Sequence, residues 1–361
     1  SYEENGVQRD AEGDILGLQY GLSDSETQNY FTKLTYDFDD EKQLQFSYNY
    51  FSSQQKTDLG DVTGDGNIGE KTYAIHVPLE LQKQGKPQGP EGNKNITLKY
   101  VDYSLFENTQ MTLDLYKQDI ENVFFFSTNL ANLDEGYSGG QSVIKSDKQG
   151  ARATFNSQFD FENVTATLIY GIDALNDKTS QPLVDGRVWV PEMDMESVAG
   201  FLQTKWVIND DIIVKAGVRN ESIDLSVSDY QTLKLCKTPS QCSVPLNVRG
   251  DTINYDATTY NAGIKYNLTD AFSPFFSYSQ GSDISDIGRL LRAATVDDIA
   301  LILTQASIID NYEVGFTSQF ENVRFEFALY RSTSELGTSN EFNEVTGVYE
   351  PVRAPQEIWG Y

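Results

Sequence analysis

Histidine, cysteine and basic residues are scarce in this sequence. Its 361 residues include one histidine and two cysteines, and 27 basic residues stand against 54 acidic ones, for a formal net charge of −27. Because contacts to phosphate require a basic surface, this charge excludes nucleic acid as a partner. The sequence also lacks the run of about twenty apolar residues that a membrane helix needs, and its mean hydropathy is −0.45.

The single histidine, His76, lies in an apolar segment, residues 73–78. One imidazole with neither a second histidine nor a nearby cysteine makes no zinc site and no convincing catalytic triad. No phosphate-binding glycine pattern follows a strand and opens a helix. The sequence therefore predicts a chain that is not an enzyme and that carries no cofactor.

Six short acidic turns recur along the chain, each between two runs of about ten residues that alternate apolar and polar. They are residues 37–41, 105–108, 159–163, 208–211, 268–271 and 320–322. Long connections rich in Gly, Ser, Asp and Asn separate one hairpin from the next. Short turns at one end and long loops at the other are typical of a transmembrane β-barrel.

The alternation is clear in the fifth hairpin, where Tyr260 and Ile264 share one face and Asn261 and Lys265 share the other. Aromatic residues also lie within a residue or two of the turns, as in an interfacial girdle. They are Phe38, Phe106, Phe161, Trp206, Phe272 and Phe320. The second hairpin fits the pattern least well, because Lys99, Asp102 and Asp114 make its two faces hard to assign, and a barrel hairpin with an irregular strand stays open there.

We count twelve strands, with a thirteenth beginning near residues 355–361. The fold prediction is an all-β, antiparallel barrel meander over residues 1–361. Ser1 falls inside a loop-like segment and the last strand never completes, so we expect an internal piece of a longer protein. Six recurring turns also fit a soluble six-bladed propeller, although a blade needs four strands and each unit here supplies two.

Several segments resemble the barrel of TonB-dependent siderophore receptors. They are residues 30–40, 44–55, 274–281, 310–316 and 354–361. The resemblance implies part of a 22-stranded, plugged barrel in the outer membrane of a Gram-negative bacterium. Its implied function is active uptake of a ferric siderophore, energised by the TonB protein, and within the family the resemblance is nearest to receptors of the hydroxamate or aerobactin type. The plug, the TonB-coupling segment of the N-terminal region and the terminal strands are then expected to be missing here. A passive porin or a surface adhesin shares the barrel features and stays open as the alternative.

Cys236 and Cys242 enclose five residues in the long connection between the fourth and fifth hairpins. Two close cysteines in a chain destined for an oxidising compartment predict a local disulfide that stiffens a loop tip. Its small loop contributes only about 2 kcal/mol. Metal binding by the two thiolates is the minor alternative.

The segment Asp61–Gly69 resembles a calcium loop, with oxygen ligands at alternate positions and Gly66 at the bend. An EF-hand loop needs a bidentate Glu at its twelfth position, and that position holds Thr72. A hydrated acidic turn is therefore the alternative.

An anionic ferric chelate needs local positive charge in so acidic a chain, and Arg289, Arg292 and Arg187 supply it, because guanidinium groups bind carboxylate and hydroxamate oxygens well. With the loop aromatics they form the predicted ligand site: Arg289, Arg292, Arg187, Trp189, Tyr137 and Phe125. Two alternatives remain open. Residues 287–300 have helical spacing, so their arginines could decorate a loop helix, and the aromatics could belong to the outer-leaflet girdle. The acidic surface is also expected to contact outer-membrane lipid and lipopolysaccharide through divalent cations.

Overall fold

The computed structural model of the protein describes residues 2–3, 8–16, 24–56, 59–62, 64–76, 86–238, 241–284, 287–302, 306–343 and 348–361. Most of them belong to one antiparallel sheet of 15 strands. The long strands are β1 (Asp24–Asp37), β2 (Lys42–Lys56), β3 (Asn93–Phe106), β4 (Thr109–Ser127), β5 (Gly140–Phe161), β6 (Val164–Pro182), β7 (Val188–Ile208), β8 (Ile212–Val227), β9 (Asp251–Tyr266), β10 (Phe272–Asp283), β11 (Ser307–Phe320), β12 (Val323–Asn343) and β13 (Val348–Gly360). Two short strands, Tyr2–Glu3 and Gly89–Pro90, pair with β1 and β4 respectively.

Each long strand pairs with its neighbours in the chain, so the sheet is a meander. The six acidic turns join β1 to β2, β3 to β4 and so on to β11 and β12. Because adjacent strands are antiparallel, all six turns lie at the same end of the strands. At the fourth turn Asn209 and Asp210 have φ of 51° and 62°, a left-handed conformation that Asn and Asp tolerate better than most residues. The predicted antiparallel meander is confirmed.

The thirteenth strand is present, but it begins at Val348 rather than near residue 355. A propeller would divide the six hairpins among separate four-stranded blades, whereas here one continuous sheet contains all of them. The propeller alternative is therefore wrong. Within the described residues β1 and β13 do not pair with each other, so the sheet is an open, barrel-like wall.

One face of this wall carries large apolar side chains in rows across the strands. Leu34 lies opposite Phe46, Phe46 opposite Leu98, and Leu98 opposite Leu115. The aromatics near the turns are mostly exposed on the wall: Phe38, Phe106, Phe161, Trp206 and Phe320. Exposed apolar rows bounded by aromatics are what a lipid-facing surface requires. The second hairpin is part of the same sheet, and its register shifts between Asp102 and Phe106.

The opposite face is polar along the middle of the strands. Asp173 on β6 accepts hydrogen bonds from Arg152 at 3.0 Å and from Arg219 at 2.9 Å, and Arg219 also contacts Glu221. Side chains alternate between the faces of a strand, so this charged row lies across the sheet from the apolar rows. It forms the inner, lumen-facing side of the wall.

The long connections at the opposite end of the strands contain short strands and helices. A small sheet combines Ile15–Leu16, Tyr73–His76 and Leu59–Val62, and two-stranded pairs join Tyr230–Gln231 to Asn247–Val248 and Cys236–Thr238 to Gln241–Cys242. Single 3-10 turns cover Gly66–Ile68 and Thr128–Leu130. The loop from β10 to β11 contains two short helices, α1 (Ile287–Arg292) and α2 (Ile299–Ile302). Of the helices described, none has the length and apolar character to cross a bilayer.

The main apolar core lies where this helical loop folds over the inner face. Leu290 and Leu291 of α1 and Ile299 of α2 are buried in one cluster with Leu225 and Tyr255. Leu225 is an even number of residues from Arg219, so it shares the inner face of β8. Burying a leucine or isoleucine side chain stabilises the packed state by about 1.5–3 kcal/mol, so these three side chains anchor the two short helices on the inner face.

Candidate functional site

A cavity of about 770 Å³ opens on the inner face, at the end of the strands where the long loops lie. Its walls are the loop ends of β4 to β8 together with α1. The lining combines aromatic, aliphatic and charged side chains, among them Phe124, Phe125, Trp189, Ile144, Met193, Met195, Leu225, Ile287, Asp177, Arg289 and Arg292. A volume of this size fits a small-molecule ligand, because such sites usually measure about 300–1,000 Å³.

Four of the six predicted site residues meet in this cavity: Phe125, Trp189, Arg289 and Arg292. Three separate loops and strand ends supply them. The guanidinium of Arg292 lies over the Trp189 ring, 4.2 Å from its centroid, a cation–π arrangement that orients both groups. Their role in binding a ligand stays a prediction.

The two arginines of this site do lie on a loop helix, as the alternative to a binding role supposed. The helical spacing over residues 287–300 is broken into α1 and α2. The apolar side of α1 points into the core through Leu290 and Leu291, while Arg289 and Arg292 line the cavity. Tyr230 holds this orientation, since its hydroxyl donates to the Leu291 carbonyl oxygen at 2.7 Å. Burial raises the pKa of Tyr230 and keeps that donor protonated.

Arg187 and Tyr137, the other two predicted residues, do not line the cavity but lie in the loops beside it. The Arg187 guanidinium stacks on Tyr137, 4.1 Å from the ring centroid, and donates to the carbonyl oxygens of Leu130 at 2.9 Å and Gly139 at 2.7 Å. It also pairs with Asp185 at 2.7 Å, and its side chain is only 11% exposed. Arg187 thus joins two loops beside the cavity, residues 128–139 and 183–187, which we call the rim loops. Leu130 of the first loop lines the cavity.

A glycine makes this arrangement of Arg187 possible. A Cβ built on Gly140 would lie 2.9 Å from Arg187 Nη2 and 3.1 Å from Leu130 Cβ. A Cβ at this position would therefore require Arg187 or Leu130 to shift. Because residue 140 has no side chain, the start of β5 leaves room for the guanidinium where it lies.

Sequence reasoning missed Asp177 and the aliphatic wall of the cavity. Asp177 is one acid among many in the sequence, but here its carboxylate accepts from Lys148 at 2.9 Å and from Ser146 at 2.9 Å. The aliphatic wall had a readable signal. Met193 and Met195 alternate along β7 with the acidic residues Glu192, Asp194 and Glu196, so the sequence shows that this part of the inner face is apolar.

Cys236 and Cys242 form the predicted disulfide, which rules out a metal held by their free thiolates. The bond does not stiffen an isolated tip, because Cys236 is fully buried. The backbone N–H of Cys236 donates to the Ala131 carbonyl at 2.7 Å, and Lys234 pairs with Asp134. The disulfide hairpin is thus docked on the rim loop next to Leu130.

The calcium-loop prediction concerns residues Asp61–Gly69. Within this segment, Thr63 and the side chain of Asp61 lie outside the described part of the structure. Asp65 accepts from the Asn67 backbone N–H at 2.9 Å and caps the 3-10 turn. Within the described residues, no group of three or more His, Cys, Asp or Glu side chains is placed to hold a metal. His76 is exposed at the end of its short strand.

A lysine neutralises the acidic loop beside this segment. Lys71 Nζ lies 2.6 Å from Asp10 and 2.8 Å from Asp14. The hydrogen bond from Lys71 lowers the pKa of the Asp10 carboxyl, and hydrogen bonds to Asp10 and Asp14 raise the pKa of Lys71.

Comparison with known proteins gives a consistent result. A family model described as "TonB dependent receptor-like, beta-barrel" matches residues 4–361. The ferric aerobactin receptor of Klebsiella pneumoniae is 24% identical over 377 residues, which cover 93% of this chain and 50% of the relative. The rhizobactin receptor of Rhizobium meliloti (strain 1021) is 24% identical over 361 residues, covering 90% and 47%. The chain thus spans about half the length of the curated relatives it matches.

Solved structures show the same fold. The copper transporter OprC superposes with a TM-score of 0.71 at 11% identity, over 99% of this chain and 54% of that chain. The ferric-catecholate import receptor Fiu from K12 E. coli, in its closed form, has a TM-score of 0.65 at 12% identity, over 93% and 54%. At these identities the likeness establishes the fold alone.

Proposed function

Because the chain belongs to the TonB-dependent receptor-like β-barrel family, we propose that this protein takes up a ferric siderophore actively. Barrels of this family lie in the outer membrane of Gram-negative bacteria, and so does this one. The names of the curated relatives, receptors for ferric aerobactin and rhizobactin, point to the class of ligand. In this proposal the chelate is a transported ligand rather than a cofactor, the TonB protein supplies the energy, and the protein is not an enzyme.

The observation that carries the proposal is the cavity at the loop edge. It brings Arg289 and Arg292 beside Trp189 on the inner face of a strongly acidic chain. A hydrogen bond to a charged group contributes about 1.5–3 kcal/mol, so one lost arginine should weaken chelate binding about tenfold or more. An aromatic wall beside the arginines suits a ligand with both charged and apolar parts.

The test measures binding of a ferric siderophore panel, including ferric aerobactin, to the full-length receptor. We expect Arg289→Ala and Arg292→Ala each to weaken binding of the preferred chelate. Arg324→Ala is the matched control, because Arg324 pairs with Glu326 next to a tight turn, at the opposite edge of the sheet. Unchanged affinity in both cavity variants would remove these arginines from the site. No binding across the panel would favour the passive porin or adhesin instead.

Contact with lipopolysaccharide is a separate part of the proposal. Beyond the apolar rows, the lipid-facing side carries Lys117 paired with Asp147 at 3.1 Å and Lys178 paired with Asp194 at 2.7 Å. Mixed charges at this height suit phosphates bridged by divalent cations. Native mass spectrometry should detect lipopolysaccharide retained by the wild type and lost when the divalent cations are chelated.

A further inference from the structure

A groove of about 600 Å³ lies on the lipid-facing side of the wall, where it crosses β3 to β7. Leu98 and Leu115, which line it, belong to the apolar rows of that side. Its floor is a pair of small residues, Ala151 on β5 and Ala174 on β6, which lie opposite each other. Leu115 and Val198 stand on the two sides of this pair. The alanines therefore leave a depression between taller side chains.

The groove lies at the boundary of the apolar band, toward the long loops. The stretch of β5 from Ala151 to Phe161, at the acidic turn, is about as long as a tilted strand that crosses the hydrocarbon layer, about 9–11 residues. The next row toward the loops is polar on four strands and consists of Lys117, Gln149, Asn176 and Glu196. In such barrels the short turns face the periplasm and the long loops face outward. The groove therefore lies in the outer leaflet.

The lining of the groove suits a single acyl chain. Toward the turns the small residues of β5 continue with Ala153 and end at Phe155, whose ring stacks on Tyr170 with 5.3 Å between centroids. Within a bilayer a lipid tail gains no hydrophobic free energy from an apolar protein surface, because its surroundings are equally apolar. Close packing decides instead. A chain that follows β5 over the alanines approaches the backbone more closely than a chain beside leucines does.

Lysines stand on both sides of the groove at its polar end. Lys117 on β4 lies 3.1 Å from Asp147, and Lys178 on β6 lies 2.7 Å from Asp194. Neighbouring strands lie about 4.8 Å apart, so these lysines, two strands apart, are separated by roughly 10 Å. That spacing fits a wide head with two phosphates better than a head with one. The carboxylates beside the lysines can bind divalent cations that bridge to the same phosphates.

We propose that the groove binds one molecule of lipopolysaccharide, with an acyl chain on Ala151 and Ala174 and with its phosphates at Lys117 and Lys178. Lipopolysaccharide is the outer-leaflet lipid whose head carries two phosphates, so it matches both the depth of the groove and the spacing of the lysines. The proposal rests on the lipopolysaccharide contact of the proposed function and assigns that contact to one place on the wall.

The experiment measures binding to the delipidated full-length receptor in detergent by native mass spectrometry. The probes are lipopolysaccharide without O-antigen and phosphatidylglycerol, which has one phosphate. The double variant Ala151→Leu with Ala174→Leu fills the groove and should bind lipopolysaccharide about tenfold more weakly, as the loss of about ten close atom contacts would give. The matched control is Ala216→Leu with Ala262→Leu. These alanines also lie opposite each other on the lipid-facing side but outside the groove, so binding should equal that of the wild type.

Lysine variants test where the head lies. Lys117→Gln and Lys178→Gln should each weaken binding of lipopolysaccharide about fivefold, which is the contribution of one lysine near an anionic lipid surface. The wild type should bind phosphatidylglycerol more weakly than lipopolysaccharide, because a single phosphate reaches one lysine at a time. Thermal unfolding checks that each variant is folded. Binding of the ferric siderophore panel is measured in parallel and should be unchanged, since the cavity lies on the opposite face of the wall.

Undiminished lipopolysaccharide binding by the filled groove, or an equal loss in the control pair, overturns the inference and leaves the general lipopolysaccharide contact standing. Equal affinity of the wild type for phosphatidylglycerol overturns the identity of the lipid, and unchanged binding in both lysine variants overturns the placement of its head. A wild type that binds no lipopolysaccharide refutes the proposed contact and the inference with it. Failure of the proposed uptake is a separate result, because it appears as absence of binding across the siderophore panel.

Discussion

Replacing Arg187 by alanine should lower the local stability of the two rim loops, residues 128–139 and 183–187, while the barrel stays folded. The guanidinium donates to two carbonyl oxygens, of Leu130 and Gly139, pairs with Asp185 and stacks on Tyr137. All of these partners lie in the two rim loops or beside them. The strands themselves keep their own backbone ladder, so the loss is local.

The size of the effect follows from these contacts. Hydrogen bonds from a charged donor contribute about 1.5–3 kcal/mol each, and a cation–π contact about 0.5–1 kcal/mol. Water can replace part of this at the rim, so we expect a net loss of about 3 kcal/mol in local stability. That corresponds to amide hydrogen exchange roughly a hundredfold faster.

Hydrogen exchange read by mass spectrometry over residues 128–139 and 183–187 measures this loss. Arg187→Lys should rescue little, because one ammonium cannot reproduce a planar fork that reaches both carbonyls and a carboxylate. The control is Arg249→Ala, since Arg249 is 70% exposed in its pair with Asp298, and exposed pairs contribute little. Unchanged protection in Arg187→Ala, or full rescue by lysine, would refute the reasoning.

Four further predictions follow from the same loops. Gly140→Ala should reproduce the faster exchange of Arg187→Ala, because its Cβ would lie 2.9 Å from the guanidinium nitrogen; normal protection would show that the rim can yield. Reducing the Cys236 disulfide should expose its backbone N–H, now bonded to Ala131 at 2.7 Å, and speed exchange there; protection that survives reduction would contradict this. Tyr230→Phe removes the 2.7 Å bond to α1 and should cost about 1 kcal/mol, or about fivefold in chelate affinity; equal affinity would exclude this anchoring role. The pKa of Asp10 is lowered from 3.8, so its contact with Lys71 should persist down to that pH and be lost only as pH falls through the lower value; an NMR titration midpoint at or above 3.8 would contradict the contact.

The strands and turns were predictable because they depend on neighbours in sequence. An alternating run places every second side chain on one face wherever it occurs. In the fourth acidic turn, Asn209 and Asp210 are residue types that tolerate the left-handed backbone conformation found there. The disulfide was predictable for the same reason, since only five residues separate its cysteines.

The division of labour among the arginines was not predictable. Sequence composition marks Arg187, Arg289 and Arg292 alike as rare positive charges, yet one is 11% exposed behind the rim and two line the cavity. What separates them is the docking of α1 on β7 to β9, which joins Leu291 to Leu225 across more than one intervening loop. Contacts of that kind have no local period or spacing in the sequence.

The sequence by itself thus determined the wall: strands, faces, turns and their common edge, since each follows from residues a few positions apart. The tertiary structure alone decided the site. Packing of the long loops decided which inner-face positions border the cavity and which arginines face it. Those choices depend on apolar burial between segments tens of residues apart, and burial of that kind is settled only when the loops fold together.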